Sequence, residues 1–185
     1  MLVDTSKFKH IGKHVEIGEF VKIIFPERIE IDDYARIDDF SIIVGGSGIK
    51  IGKFVHISSY CSVIGGGEFV MEDFSGLSAG CRIITGSDDY QGRSLTNPCT
   101  PLKYRSYAYK GKILIKKHAI LGTNTIVHPN ITIGEGAATG SATVVNKDLE
   151  PWKIYVGAPA KAIKDRQSDI IPKLEKELMS ELYGK

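Results

Sequence analysis

Cysteine is scarce in this chain: Cys61, Cys81 and Cys99 are the only three, and no two are at C-x-x-C spacing. An odd count without that spacing argues against a disulfide framework and a zinc ribbon, so reduced, buried thiols are expected. An excess of one charge is also missing. A net charge of +2 gives no general drive toward nucleic acid or an anionic membrane. No apolar run approaches the roughly 20 residues needed to span a bilayer. The opening MLVDTSKFKH has no apolar stretch with a cleavage site, so no secretory leader is expected and a cytoplasmic location is. P-loop, HExxH and GxSxG patterns do not occur. The histidines His10, His14, His56, His118 and His128 lack metal-ligand spacing, and no metal is expected. At 185 residues one domain with a real core is expected.

What the chain has is a period of six. Ile11, Ile17 and Ile23 are followed after eight residues by Ile31, Ile37 and Ile43, then Ile51, Ile57 and Val63, then Met71, Leu77 and Ile83. Each set of three recurs after twenty residues. The two residues beyond eighteen are read as corner insertions at 29–30, 49–50 and 69–70. A second series, Ile115, Leu121, Val127, Ile133, Thr139 and Val145, keeps a strict six. Glycine often follows the anchor, as at Gly12, Gly18, Gly52, Gly122 and Gly134. Four residues after the anchor comes a small or β-branched side chain, such as Val15, Ala35, Val55, Cys61, Cys81, Ala119 or Thr125.

A helix of period 3.6 cannot place aliphatics every six residues for this long. A short strand and a tight corner can, and three such sides close a coil. Stacked coils then pair their backbones as parallel strands around a narrow apolar axis. Glycine or a polar residue is expected at the corners because it tolerates unusual φ/ψ. Cys61 and Cys81 occupy one repeat position in successive coils, so they should stack about 4.8 Å apart at the backbone. His14 and His118 share a corner position and are expected to be solvated, and His56, just before an anchor, is expected on the surface.

The period breaks between Thr85 and Lys112 in a polar, tyrosine-rich stretch. A long unpatterned loop on a strict repeat points to function. After Lys164, the residues Ile171, Leu174, Leu178 and Leu182 form one helical stripe. Ser168 stands where a cap is expected and Pro172 suits a first turn. This helix is expected to cover an open end of the coil stack.

From about Ile11 to Lys164, closing with VGAPAKAIK, the repeats resemble those of the hexapeptide-repeat acyltransferases. The general rule for parallel crossovers favours the right-handed sense. The resemblance implies the opposite: an all-β, left-handed parallel β-helix over 1–164, with a loop inserted at 85–112 and a C-terminal α-helix in 165–185. It also implies acetyl-CoA or another acyl-CoA as acyl donor and a homotrimer with sites between subunits. The loop would then help to close a neighbour's site.

One departure from the family is informative. Many of its sugar O-acetyltransferases carry a histidine where a strand enters the loop. Here the stretch IITGSDDY offers Ser87, Asp88 and Asp89. These residues either start a turn or place a carboxylate on the acceptor. A hydroxyl nucleophile needs a base within reach, whereas a free amine already carries its lone pair. The missing histidine therefore favours an amine acceptor, with Asp88 and Asp89 as catalytic candidates that hold an ammonium and accept its proton. In this the chain resembles acyltransferases of nucleotide-linked amino sugars for surface polysaccharides. Ser87, Tyr90, Asn97, Tyr104 and Arg105 are candidate contacts to sugar or nucleotide. By resemblance, Gly122, Gly140, Ser141 and Ala142 match the stretch along the pantetheine arm, Asn146 and Lys147 a polar–lysine pair near the coenzyme's end, and Lys161 and Lys164 basic positions at its phosphates. Two alternatives stay open: a sugar O-acetyltransferase using His56 or an aspartate as base, and a non-catalytic or metal-binding β-helix.

Overall fold

The computed structural model describes residues 3–184. Three parallel sheets form the sides of a prism. The first runs through His10–Ile11, Ile29–Ile31, Gly48–Ile51, Glu68–Met71, Lys112–Ile115 and Ile131–Ile133. The second takes Glu16–Ile17, Arg36–Ile37, His56–Ile57, Gly76–Leu77, Ile120–Leu121, Ala138–Thr139 and Lys153–Val156, with Lys161–Asp165 added antiparallel at its edge. The third takes Lys22–Ile24, Ile42–Val44, Ser62–Ile64, Arg82–Ile84, Ile126–Val127 and Val144–Val145. Ile37 pairs with Ile57 and Ile57 with Leu77, so the anchors stack in columns.

The anchors from Ile31 onward are buried, and so are many of the small residues four places later, including Ser41, Ser75 and Thr143. Burying a side chain of this size stabilises by roughly 1.5–3 kcal/mol. Ile11, Ile17 and Ile23 are only half-buried because they lie in the first coil, where Val3 and Phe8 pack against the core. At the other end Tyr155 continues the column after Thr139 and accepts a hydrogen bond at its hydroxyl from Glu150 N at 2.8 Å.

Strand register corrects the position of the insertions. Ile113 pairs with both Phe69 and Ile131, and Ile29 pairs with Ile49, so 29–30, 49–50 and 69–70 are regular strand. The extra residues lie just before them, in the corners at 25–28, 45–47 and 65–67. The glycines after the anchors also serve another purpose. A Cβ on Gly52 would sit 2.5 Å from Asp73 Oδ1, which accepts a hydrogen bond from Lys53 N. Gly12 stands in the same relation to Asp33, which accepts from Lys13 N. Glycine here makes room for a carboxylate of the next coil.

The left-handed corner positions instead carry aromatic rings. His14, Tyr34, Phe54, Phe74, His118 and Trp152 all have φ between 52° and 60°. They form one ladder at the corner of the first and second sheets, with centroid spacings of 4.8 to 6.2 Å. His14 is exposed as expected, but His118 is buried, because Phe74 and Trp152 flank it and the C-terminal helix covers it.

That helix, α1, spans Ile171–Tyr183 and begins without a side-chain cap, with Ile170 rather than Ser168 at its N-cap. It does not cover an end of the stack. Glu175 bonds to His118 Nε2 at 2.8 Å and pairs with Lys117, while the Tyr183 hydroxyl donates to Asp33 Oδ2 at 3.2 Å. These partners run from a late coil back to an early one, so α1 lies lengthwise along the aromatic corner. Its stripe is only half-covered, with Leu174 and Leu182 exposed. Cys61 and Cys81 are buried free thiols, and the hydrogen bond with the Cys61 side chain, then burial, pushes the Cys81 thiol up. Cys99 is exposed because it sits in the loop.

Candidate active site

The break in the repeat begins one residue later than the pattern suggests. Thr85 is buried; its hydroxyl donates to Ile64 O and accepts from Gly67 N, each at 2.9 Å. Gly86–Ser87 then pairs antiparallel with Tyr109–Lys110, and Lys112 already belongs to a scaffold strand. The excursion proper is 88–108, and the two aspartates at its base organise it.

Asp89 is turned inward, with its side chain 1% exposed. Its carboxylate accepts from the backbone N–H groups of Gln91, Arg93 and Ser94 and from the Arg93 guanidinium. Burial pushes its carboxyl up, but these donors together hold it below the ordinary range. The Arg93 guanidinium also lies 4.4 Å from the Tyr107 ring centroid, which ties the outgoing arm of the loop to the returning one. Asp89 therefore does the turn-forming work that was the alternative reading of the pair.

Asp88 faces a cavity of about 370 Å³ bordered by Gly65, Gly86, Ser87, Leu102, Arg105, Tyr109 and Lys110. Its Oδ1 accepts from Arg105 Nη2 at 2.9 Å and its Oδ2 from Asn97 N at 3.0 Å. The Arg105 guanidinium, then the Asn97 amide, hold its carboxyl below the usual carboxylate range. Of the residues expected near the acceptor, the structure thus gathers Ser87, Asp88 and Arg105. Asn97 contributes its backbone, and its side chain accepts from Cys99 N. Tyr90, 92% exposed, points to solvent, and Tyr104 is half-exposed under Lys103. Tyr109 and Lys110 were missed; their place depends on the Gly86–Lys110 hairpin, which leaves no mark on a six-residue period.

His56 lies elsewhere, on the second sheet, with Nε2 2.8 Å from Asp38 Oδ2. The outward column there runs His56, Gly76, Ile120. The missing side chain at Gly76 opens a cavity of about 530 Å³ that also meets Ser78, His118 and Arg166. The two candidate bases, His56 and Asp88, therefore lie on different sides of the subunit.

The donor candidates are dispersed. Gly122 and the run Gly140, Ser141 and Ala142 stack at the corner of the second and third sheets, where Gly122 N donates to Thr139 O and Gly140 N to Tyr155 O. Asn146 and Lys147 are exposed at the next corner, and Lys161 and Lys164 are exposed on the antiparallel edge strand. A Cβ on Gly122 would lie 2.6 Å from Thr139 O, so coil packing alone already demands glycine there. Among the described residues no cluster of three metal-ligating side chains occurs, and no helix is long and apolar enough to cross a membrane.

No family profile matches the chain. It is 34% identical over 165 residues to the dTDP-4-amino-4,6-dideoxy-D-glucose acyltransferase of Escherichia coli, covering 89% of this chain and 85% of that protein. The chain belongs to the hexapeptide-repeat acyltransferases. The N-acyltransferase AntD from Bacillus cereus, in complex with dTDP and 3-hydroxybutyryl-CoA, superposes with a TM-score of 0.87 at 36% identity, over 96% of this chain and 93% of that one. A variant of AntD with dTDP-4-amino-4,6-dideoxyglucose and coenzyme A gives 0.90 at 36% identity, over 96% and 94%. A maltose O-acetyltransferase from Clostridium difficile, at 19% identity and a TM-score of 0.63, shares the fold. The coils accordingly have the left-handed sense of this acyltransferase family.

Proposed function

We propose that this chain transfers an acyl group from an acyl-CoA to the amine of a nucleotide-linked amino sugar. The observation that carries this reading is the likeness along nearly the whole chain to acyltransferases whose acceptor is a dTDP-4-amino sugar. Its support in the geometry is Asp88, an ionised carboxylate facing a cavity at the base of the loop, where a substrate ammonium can dock. The docked ammonium first gives one proton to water; as the free amine, the substrate nitrogen then attacks the thioester carbonyl, the C–N bond forms, the C–S bond breaks, and the thiolate leaves with the electron pair and takes up the second proton that the nitrogen sheds.

Asp88 is the acceptor's partner, with Ser87 beside it, and Asp89 shapes the loop. Tyr90 and Tyr104, exposed in one subunit, reach a neighbour's nucleotide in a homotrimer. Gly122, Gly140, Ser141 and Ala142 border the pantetheine arm, Asn146 and Lys147 its far end, and Lys161 and Lys164 the coenzyme's phosphates. Residues 1–164 act as the catalytic domain with the helix as its appendage. The setting is cytoplasmic, where acyl-CoA is made, and the product serves surface polysaccharide synthesis. Light scattering should report three copies of the 20.3 kDa chain; a monomer at assay concentration would remove the shared site. The activity itself is tested by mass spectrometry of mixtures with acetyl-CoA or 3-hydroxybutyryl-CoA and dTDP-4-amino-4,6-dideoxyglucose. An amide product is expected, and no acylated sugar with either donor would overturn the assignment to this acceptor.

A further inference from the structure

Arg105 is a cation taken largely out of water: its side chain is 16% exposed. A guanidinium covered to this extent favours an anion beside it, and Nη2 finds one in Asp88 Oδ1 at 2.9 Å. Its Nε–H, also buried, has no hydrogen-bond partner among the described residues. The pair joins the two arms of the loop across seventeen residues, and Asn97 N holds the second oxygen of the same carboxylate. Each carboxylate oxygen has about two acceptor directions. One on each is thus occupied by the protein, and Asp88 lines the cavity that Ser87, Tyr109 and Lys110 also border.

We propose that Arg105 is a positioning residue of the acceptor site, which acts on the substrate by fixing the Asp88 carboxylate in one orientation toward the incoming ammonium. This rests on the reading of Asp88 as the ammonium's partner. It replaces the expectation that Arg105 itself touches sugar or nucleotide. It also narrows what Asp88 does. A carboxylate held ionised by a guanidinium is a strong electrostatic partner for a cation and a weak base. Asp88 orients the amine, and the proton released once the C–N bond has formed goes to the departing thiolate or to water.

The test is a double-mutant cycle in the full-length enzyme. kcat and KM for the amino sugar are measured for wild type, Asp88→Asn, Arg105→Met, the double variant and Arg105→Lys, each with the same thermal midpoint for the coils. Arg105→Met should lower kcat/KM by about 10- to 100-fold, as expected for loss of a charged hydrogen bond. The loss should fall mainly on KM for the amino sugar, with KM for the acyl-CoA unchanged. If Arg105 works through Asp88, the double variant is no worse than Asp88→Asn alone. Arg105→Lys should recover part of the loss, and guanidinium added to Arg105→Ala should restore activity that it does not restore to Asp88→Asn. An Asp88→Asn enzyme as active as wild type would defeat the reading of Asp88 itself. An impaired Asp88→Asn with losses that multiply in the double variant, or with Arg105→Met fully active, would leave Asp88 in place and overturn the role given to Arg105.

Discussion

Asp88 and Asp89 are neighbours with opposite duties, and direction alone separates them. The side chain of Asp89 points into the loop and saturates itself on three backbone amides and Arg93. Asp88 keeps a side toward the cavity. Both carboxyls are held below their ordinary range. A depressed folded-state pKa adds stability that is complete above the unfolded value of about 3.9 and is lost as pH falls through the folded value. Acidification below about pH 4 should therefore loosen 88–108 before the coils, as hydrogen exchange or peptic cleavage would show. Asp89→Asn should bring the same loosening to neutral pH, because an amide cannot accept from all of these donors. A loop equally protected at pH 3 and pH 7, or unchanged in Asp89→Asn, would contradict the role given to Asp89.

Among the elements, the corner ladder raises the sharpest energetic question. A left-handed conformation costs an L-residue roughly 1–2 kcal/mol, and each aromatic stack returns about 0.5–1.5 kcal/mol. Phe54 has φ 56° and stacks on both Tyr34 and Phe74, so the two terms nearly cancel. Phe54→Gly should accordingly be more stable than Phe54→Ala by about 1 kcal/mol, although both lose the same stacks. Denaturant midpoints would check this, and an alanine variant at least as stable as the glycine variant would contradict it. The coil was legible in the sequence because one inward position recurs in every side, so Ile31, Ile51, Met71 and Ile115 declare it by apolarity alone. The left-handed position was less so: its rings are spaced like a surface feature, and only stacking explains them. The loop's order was not legible, because it rests on two carboxylates bonding to backbone amides, which any residue possesses. The course of α1 was misread for a similar reason. Its stripe shows that a face is apolar, while its direction is set by Glu175 on His118 and Tyr183 on Asp33.

For the molecule as a whole, the prism is a rigid frame that holds separate pieces of chemistry on different sides: the loop base with Asp88, the second sheet with His56, the corners with the donor candidates. A single subunit does not gather them into one pocket, which is the physical reason for proposing a site between subunits. At this scale the frame is proposed to serve an amine acceptor in preference to a hydroxyl. The most direct test runs the product assay side by side, comparing kcat/KM for dTDP-4-amino-4,6-dideoxyglucose and for its counterpart with a hydroxyl at the same carbon, under saturating acyl-CoA. The account predicts that the amine is favoured by at least about a hundredfold, since the pocket offers a fixed anion and no histidine base for a hydroxyl. Equal or faster acylation of the hydroxyl sugar would contradict it.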